Sequence, residues 1–239
     1  MIFACMHRIS SLLITMDSIM GHEYRSHLVG EGEANTQWRH GSPPTYHVVN
    51  RLFESERSKE WPKGSLEEMV QNAIKTWEWE MELSHKTRIG DLKSFNQAKF
   101  RYSVNGRKGL TGEEALTLGS YNALLQSSLP PELRGYDADA ESFESSHDVF
   151  RSAFPRGFEW EAVNVYSGPP VITFKFWHWD HMEGTFKGHE ATGELVEFYE
   201  ITILKVDEQL KAEEVEIYYD PGGELLGRGA SQGPMPLLQ

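Results

Sequence analysis

Apolar and polar positions alternate in four runs of the second half of the chain, at about residues 158–167, 171–179, 195–206 and 213–219. This is the period-two signature of strands with one buried face. Ser167-Gly-Pro-Pro170 separates the first two runs and Asp207-Glu-Gln-Leu210 the last two. Connections that short join antiparallel neighbours, because a parallel crossover takes about a dozen residues or more. The 180–194 connection is the long one, and long connections beside a sheet are where function tends to sit.

Upstream the period changes. Ser65-Leu-Glu-Glu68 reads as a capping box, in which the two side chains satisfy each other's exposed backbone donors. Leu66, Met69, Val70, Ala73, Ile74, Trp77 and Met81 then follow at helical spacing, to about Ser84. Pro43-Pro44 opens a shorter helix to about Ser58, with Val48, Val49, Leu52 and Phe53 on one face. Lys99–Val104 alternates as a strand and stops at Asn105-Gly106, a turn signal. Thr111-Gly-Glu-Glu114 is a second capping box and opens a helix to about Gln126. The acidic, Ser-rich run from Pro130 to Ser146 reads as a surface connection, and His147–Phe154 fits a helix or a strand. Helices first and a meander of strands afterwards is the α+β pattern. One domain is expected over residues 22–228, after a mildly apolar leader or extension at 1–21 and before a Gly-, Ser- and Pro-rich tail at 229–239.

Charge and composition narrow the partners. The 239 residues carry a net charge of −13 with no basic stripe, which argues against nucleic acid and against anionic membranes, since both need clustered Lys and Arg. One cysteine, Cys5, leaves no intramolecular disulfide and no Cys-based zinc site. A cytoplasmic home is the expectation. No Walker loop, dinucleotide-binding glycine fingerprint or Gly-x-Ser-x-Gly elbow occurs, so nucleotide binding and serine-hydrolase chemistry lose their usual supports.

The chemistry concentrates in Phe174-Lys-Phe-Trp-His-Trp-Asp-His181 and the residues that follow it, which read as the aromatic wall of a cavity. On a strand, Ile172, Phe174, Phe176 and His178 share one face and Thr173, Lys175, Trp177 and Trp179 the other. His178 and Trp177/Trp179 therefore cannot all face inward unless a bulge intervenes. The His178-x-x-His181 spacing with His189 could suit zinc, but residues three apart on a strand point to opposite faces, and no metal is expected. His178 reads instead as a hydrogen-bonding or acid/base group, or as a structural histidine. In the last strand Glu214, Glu216, Tyr218 and Asp220 align, with Glu216 and Asp220 ~13 Å apart at ~3.3 Å per residue. Asp220 ends a strand rich in Tyr and Ile; beside such rings its carboxyl would be partly desolvated and suited to proton transfer, or it would cap the Pro221-Gly-Gly turn. His85, just past the long helix, and Phe198, Trp177, Trp179, His181, Glu216 and Tyr218 complete the candidate binding residues.

Several blocks resemble the plant pathogen-related protein family. They are Tyr24-Arg-Ser-His-Leu-Val-Gly-Glu-Gly-Glu, Val48-Val-Asn-Arg-Leu-Phe-Glu, Trp61-Pro-Lys-Gly-Ser-Leu-Glu-Glu, Lys75-Thr-Trp-Glu, Phe154-Pro-Arg-Gly-Phe, Tyr166-Ser-Gly-Pro-Pro-Val-Ile and the His178–Glu197 block. The second half, through Gly184-Thr-Phe-Lys-Gly-His-Glu-Ala-Thr-Gly193, Tyr218-Tyr-Asp220 and Leu225-Leu-Gly227, is similar to SnoaL-like polyketide cyclases of the nuclear-transport-factor-two-like superfamily. The resemblance implies a cone-shaped α+β barrel, a curved antiparallel sheet wrapped around helices to leave a pocket. It also implies a homodimer through the outer sheet face, and an Asp acid/base at the end of the last strand, here Asp220. The chain departs from those cyclases in some sixty extra N-terminal residues and in Pro221-Gly-Gly after the Asp. The reading is a cofactor-independent cyclase or isomerase acting on a small hydrophobic metabolite, with Asp220 moving a proton and His178 relaying. A carrier or sensor with the same pocket and no turnover is its rival.

Overall fold

The computed structural model describes residues 31–75, 83–130, 132, 134 and 136–220. The leader, Tyr24, the stripe positions Trp77 and Met81, the Leu225-Leu-Gly227 turn and the tail lie outside the described residues. Among the described residues five strands make one sheet: β1 (Arg101–Val104), β2 (Glu159–Ser167), β3 (Val171–His181), β4 (Leu195–Val206) and β5 (Ala212–Tyr219). Their order is β1-β5-β4-β3-β2. β2 to β5 run as the antiparallel meander that their short connections demand. β1 is parallel to β5, so the sheet is mixed rather than wholly antiparallel. The chain between those two strands is long enough for the crossover that a parallel pair requires. The sheet stays open, with β1 and β2 at its edges.

The α-helices with described bounds are α1 (His47–Glu56), α2 (Leu66–Lys75), α3 (Gly112–Leu118), α4 (Ser120–Leu125) and α5 (Phe143–Ala153), and residues 83–85 are helical as well. The Thr111–Glu114 capping box forms in full, but the helix it opens is cut in two at Gly119. That residue has φ +87°, and a Cβ there would lie 2.9 Å from the Phe143 ring. The positive φ and the close approach both require glycine. The ambiguous 147–154 stretch is helical because Ser142 caps it, accepting from the backbone N–H of Ser145 at 3.1 Å. Nor is the 130–146 run wholly a surface connection. Tyr136 is buried and donates to Asn122 Oδ1 at 2.6 Å.

The inner face of the sheet carries Phe174, Phe176, Leu204, Val215 and Ile217, packed with Leu83, Phe95, Phe100 and Tyr102 into the main core. Phe95 and Phe100 stack with centroids 4.0 Å apart. Full burial of each such side chain contributes ~1.5–3 kcal/mol.

Edge strand β2 would offer unpaired backbone groups to any passing strand. α2 and the segment before it cover that edge. Gln71 donates from Nε2 to the Trp160 carbonyl (3.2 Å) and accepts from the Ala162 N–H (2.7 Å). Trp61 Nε1 donates to the Ala162 carbonyl at 3.1 Å. These contacts fall where β2 slips register between Ala162 and Asn164, a bulge that bends the strand. One turn further along α2, Lys75 Nζ reaches both carboxylate oxygens of Glu159, at 2.9 and 2.7 Å, with both side chains almost wholly buried.

Breaking that pair from one side strands a buried charge. Lys75→Met is expected to cost ~3–5 kcal/mol in urea unfolding, and Lys75→Met with Glu159→Gln to cost clearly less than the sum of the single changes. Additive losses would show that the pair does not act as a unit.

Candidate functional site

Between the inner sheet face and the helices lies a cavity of about 740 Å³. Trp160, Phe176, His178, Glu200 and Ile217 form its sheet side; Ile74, Tyr121, Leu124, His147 and Phe154 face them from the helical side. The 42–46 segment, His85 and Arg156 also line it.

His178 is held by rings. Phe158, Trp160 and Phe198 stand with centroids 4.9, 5.1 and 4.7 Å from its imidazole. Its Nδ1 is 3.4 Å from Glu200 Oε1. The antiparallel register that sets His178 against Phe198 and Phe176 against Glu200 makes the two polar groups diagonal neighbours on the inner face. Both are buried, and among the described residues His178 Nε2 and Glu200 Oε2 have no hydrogen-bond partner. Desolvation pushes the imidazole down to about 3 and the carboxyl up to about 8. At neutral pH the pair is therefore uncharged, joined by a hydrogen bond rather than an ion pair. It presents one proton and one lone pair at the atoms without partners.

A second polar group stands on the helical side. His147 of α5 is buried; its Nδ1 is 2.7 Å from the Phe143 carbonyl and its Nε2 is 3.3 Å from Ser84 Oγ. Ser84 Oγ is in turn 2.9 Å from Ser120 Oγ. Ser84, Ser120 and His147 all line the cavity. Burial pushes the His147 imidazole down to about 4, so it is neutral too. Where the cavity wall meets β3, Arg156 lies 3.4 Å from buried Asp180, whose carboxyl burial raises to about 6.

The structure divides the candidate residues. His178 and His85 line the cavity, and Phe198 packs against the His178 ring. Trp177, Trp179 and His181 sit on the opposite face of β3, with no bulge on that strand beside them to reverse the parity. Trp177 stacks on Trp179 at 3.9 Å and donates to Glu197; Trp179 and His181 both reach Glu56 of α1, at 3.1 Å. Glu216 and Tyr218 also point outward, the tyrosine hydroxyl donating to Glu216 at 2.9 Å. Asp220 follows β5 in an exposed position and is not part of the cavity lining. The last strand ends at Tyr219, before Asp220.

The 180–194 connection, for all its length, supplies no residue of the cavity lining. It packs against α5: Gly184 N–H donates to the Ala153 carbonyl at 2.9 Å, and Phe186 is buried against Phe150. A Cβ on Gly184 would fall 1.8 Å from the Ser152 carbonyl oxygen, so only glycine permits the contact. Glu200 and His147 went unread in the sequence. For Glu200 a signal existed, as it is the carboxylate within the inward series Val196, Phe198, Glu200, Thr202, Leu204 of β4.

Fold and site together define an open-sheet α+β protein with an aromatic cavity lined by buried, uncharged His178, Glu200 and His147. The chain is 53% identical over 207 residues, 86% of its length and 87% of the relative's, to the "Pathogen-related protein" of Hordeum vulgare. It belongs to the pathogen-related protein family. No family model matches it. Solved structures similar to it include AclR, a putative hydroxylase from Streptomyces galilaeus (13% identity, 62% of this chain and 76% of that one, TM-score 0.39). Others are a putative SnoaL-like polyketide cyclase from Jannaschia sp. (15%, 73% and 100%, 0.35) and an epoxide hydrolase of M. tuberculosis described as LEH-like (12%, 68% and 86%, 0.34). Among the described residues, no helix is long and apolar enough to cross a membrane, and no three His, Cys, Asp or Glu are grouped to hold a metal.

The two buried groups give stability a defined pH dependence. Glu200 keeps its proton to about 8 in the fold, against 4.5 when free, so its contribution is full below 4.5 and is lost as pH rises to about 8. His178 is lowered from 6.5 to about 3, so its contribution is full above 6.5 and is lost as pH falls toward 3. Between about pH 6.5 and 8 Glu200 governs: unfolding free energy should fall with rising pH by up to ~1.4 kcal/mol per unit. Urea titrations across that window should show the slope flattened in Glu200→Gln.

Proposed function

We propose that this cavity binds a small hydrophobic metabolite and that His178 and Glu200 transfer a proton on it, making the protein a cofactor-independent cyclase or isomerase. One observation carries the reading: an imidazole and a carboxyl, in contact and buried at an aromatic cavity wall, each with a hydrogen-bonding atom that no described residue uses. Enolisation, ring closure and double-bond migration beside a carbonyl all need one group to take a proton and another to give one. The pair supplies both without net charge. The surrounding rings bury both groups, and a desolvated setting strengthens any hydrogen bond made to a developing oxyanion.

A second reading, a carrier or sensor in plant defence, is favoured by the exposed position of Asp220, the residue at which the cyclase resemblance places the acid/base. In this reading the same cavity holds its ligand unchanged.

Incubating the protein with plant extract and profiling metabolites by mass spectrometry separates the two. The enzyme reading expects a rearranged product whose formation drops by ~10²–10⁴ in Glu200→Gln, while ligand binding survives within a few-fold. A tightly held compound recovered unaltered from wild type after long incubation supports the carrier. Undiminished turnover in both Glu200→Gln and His178→Ala would remove the pair from the chemistry.

A further inference from the structure

We propose that Ser120, Ser84 and His147 form a second subsite of the cavity, built to accept a hydrogen bond from a hydroxyl group of the ligand. The proposal rests on the reading that the cavity takes a small molecule, and it narrows that molecule to a phenol or alcohol with an apolar body. The direction of each hydrogen bond follows from what its partners can do. A carbonyl can only accept, so at 2.7 Å from the Phe143 carbonyl His147 Nδ1 carries the ring proton. Since desolvation keeps the imidazole neutral, Nε2 holds a lone pair. Its contact with Ser84 Oγ at 3.3 Å is then a hydrogen bond donated by the serine.

With the Ser84 proton directed at the imidazole, the 2.9 Å contact between the hydroxyls is donated by Ser120 to Ser84. The relay runs one way, from Ser120 through Ser84 to His147. Ser120 is left with acceptor capacity only, on an oxygen beside the cavity. Gly119, with its positive φ and no room for a Cβ, is what lets the start of α4 lie against Phe143 and His147 of α5. The sheet side can donate to a ligand; this side asks for a donor. A ligand oxygen without hydrogen would leave the Ser120 acceptor dehydrated and unpaired, which is costly in a buried site.

The probes are 2-naphthol and 2-methoxynaphthalene, aromatic bodies of like shape of which only the first donates. Calorimetric titration of the full chain should show 2-naphthol bound ~tenfold tighter. Ser120→Ala should bring the two compounds within about twofold by weakening 2-naphthol alone. Ser84→Ala cuts the relay without touching Ser120 and should shrink the preference as well; it serves as the test if Ser120→Ala does not fold. Equal affinities in wild type, or a preference that survives both serine substitutions, overturn the proposal. A preference that survives them but vanishes in Glu200→Gln assigns the hydroxyl to the sheet side, overturning this subsite and leaving the proposed function standing. If neither compound binds, both readings fall.

Discussion

The structure hangs on the covering of one sheet edge. β2 has a partner on one side only, and a bulge further disturbs its backbone pairing. Segment 58–75 satisfies what is left: Gln71 and Trp61 take the backbone groups, Lys75 holds Glu159, and Glu161 accepts from Ser58 N–H, Ser58 hydroxyl and Lys59 N–H at 3.1, 2.7 and 2.6 Å. These bonds do more than block aggregation at a free edge. Ile74 and Lys75 of α2 and Glu159 and Trp160 of β2 are cavity lining, so the seam that protects the edge is also what closes the cavity. An unpaired β2 would open the apolar interior to water from the side.

Once water is excluded, burial decides which protonation states survive. His178, His147 and Glu200 all lie in or beside the cavity and all shift toward neutrality. For a chain with net charge −13, the contrast between surface and interior is pronounced: charge is carried outside, while the interior holds hydrogen-bonding groups without it. Lys75–Glu159 meets the same constraint by pairing instead. An interior of this kind suits ligands that are themselves uncharged.

Much of this was legible in the sequence. Period-two alternation located β2 to β5 and, through connection length, their antiparallel order; capping boxes located α2 and α3. Parity alone separated His178 from His181. Other features depended on information that spacing does not hold. The parallel placement of β1 rests on a long-range pairing, and the break at Gly119 on the ring of Phe143 behind it. Asp220 illustrates a different limit. Its neighbours in sequence, Tyr218 and Tyr219, suggested an aromatic setting, but Tyr218 points outward and the strand ends before the carboxylate can turn in. Glu200 was readable as a charge inside an apolar alternation, whereas His147 sits on a segment whose helical state its own residues left undecided. The fold was thus written largely in local pattern, and the site in contacts between strands and helices far apart in the chain.

The contact of Gly184 with α5 has a consequence for the cavity as a whole. The connection that leaves β3 three residues after His178 is pinned to the C-terminal turn of α5, the helix that carries His147. A tether of backbone hydrogen bond and buried phenylalanine, with no space for a side chain at the glycine, has little compliance. Sheet and helix are thereby clamped at a set spacing, like the jaws of a calliper locked at one reading. A molecule reaching from one jaw to the other is then chosen by its length as much as by its polarity.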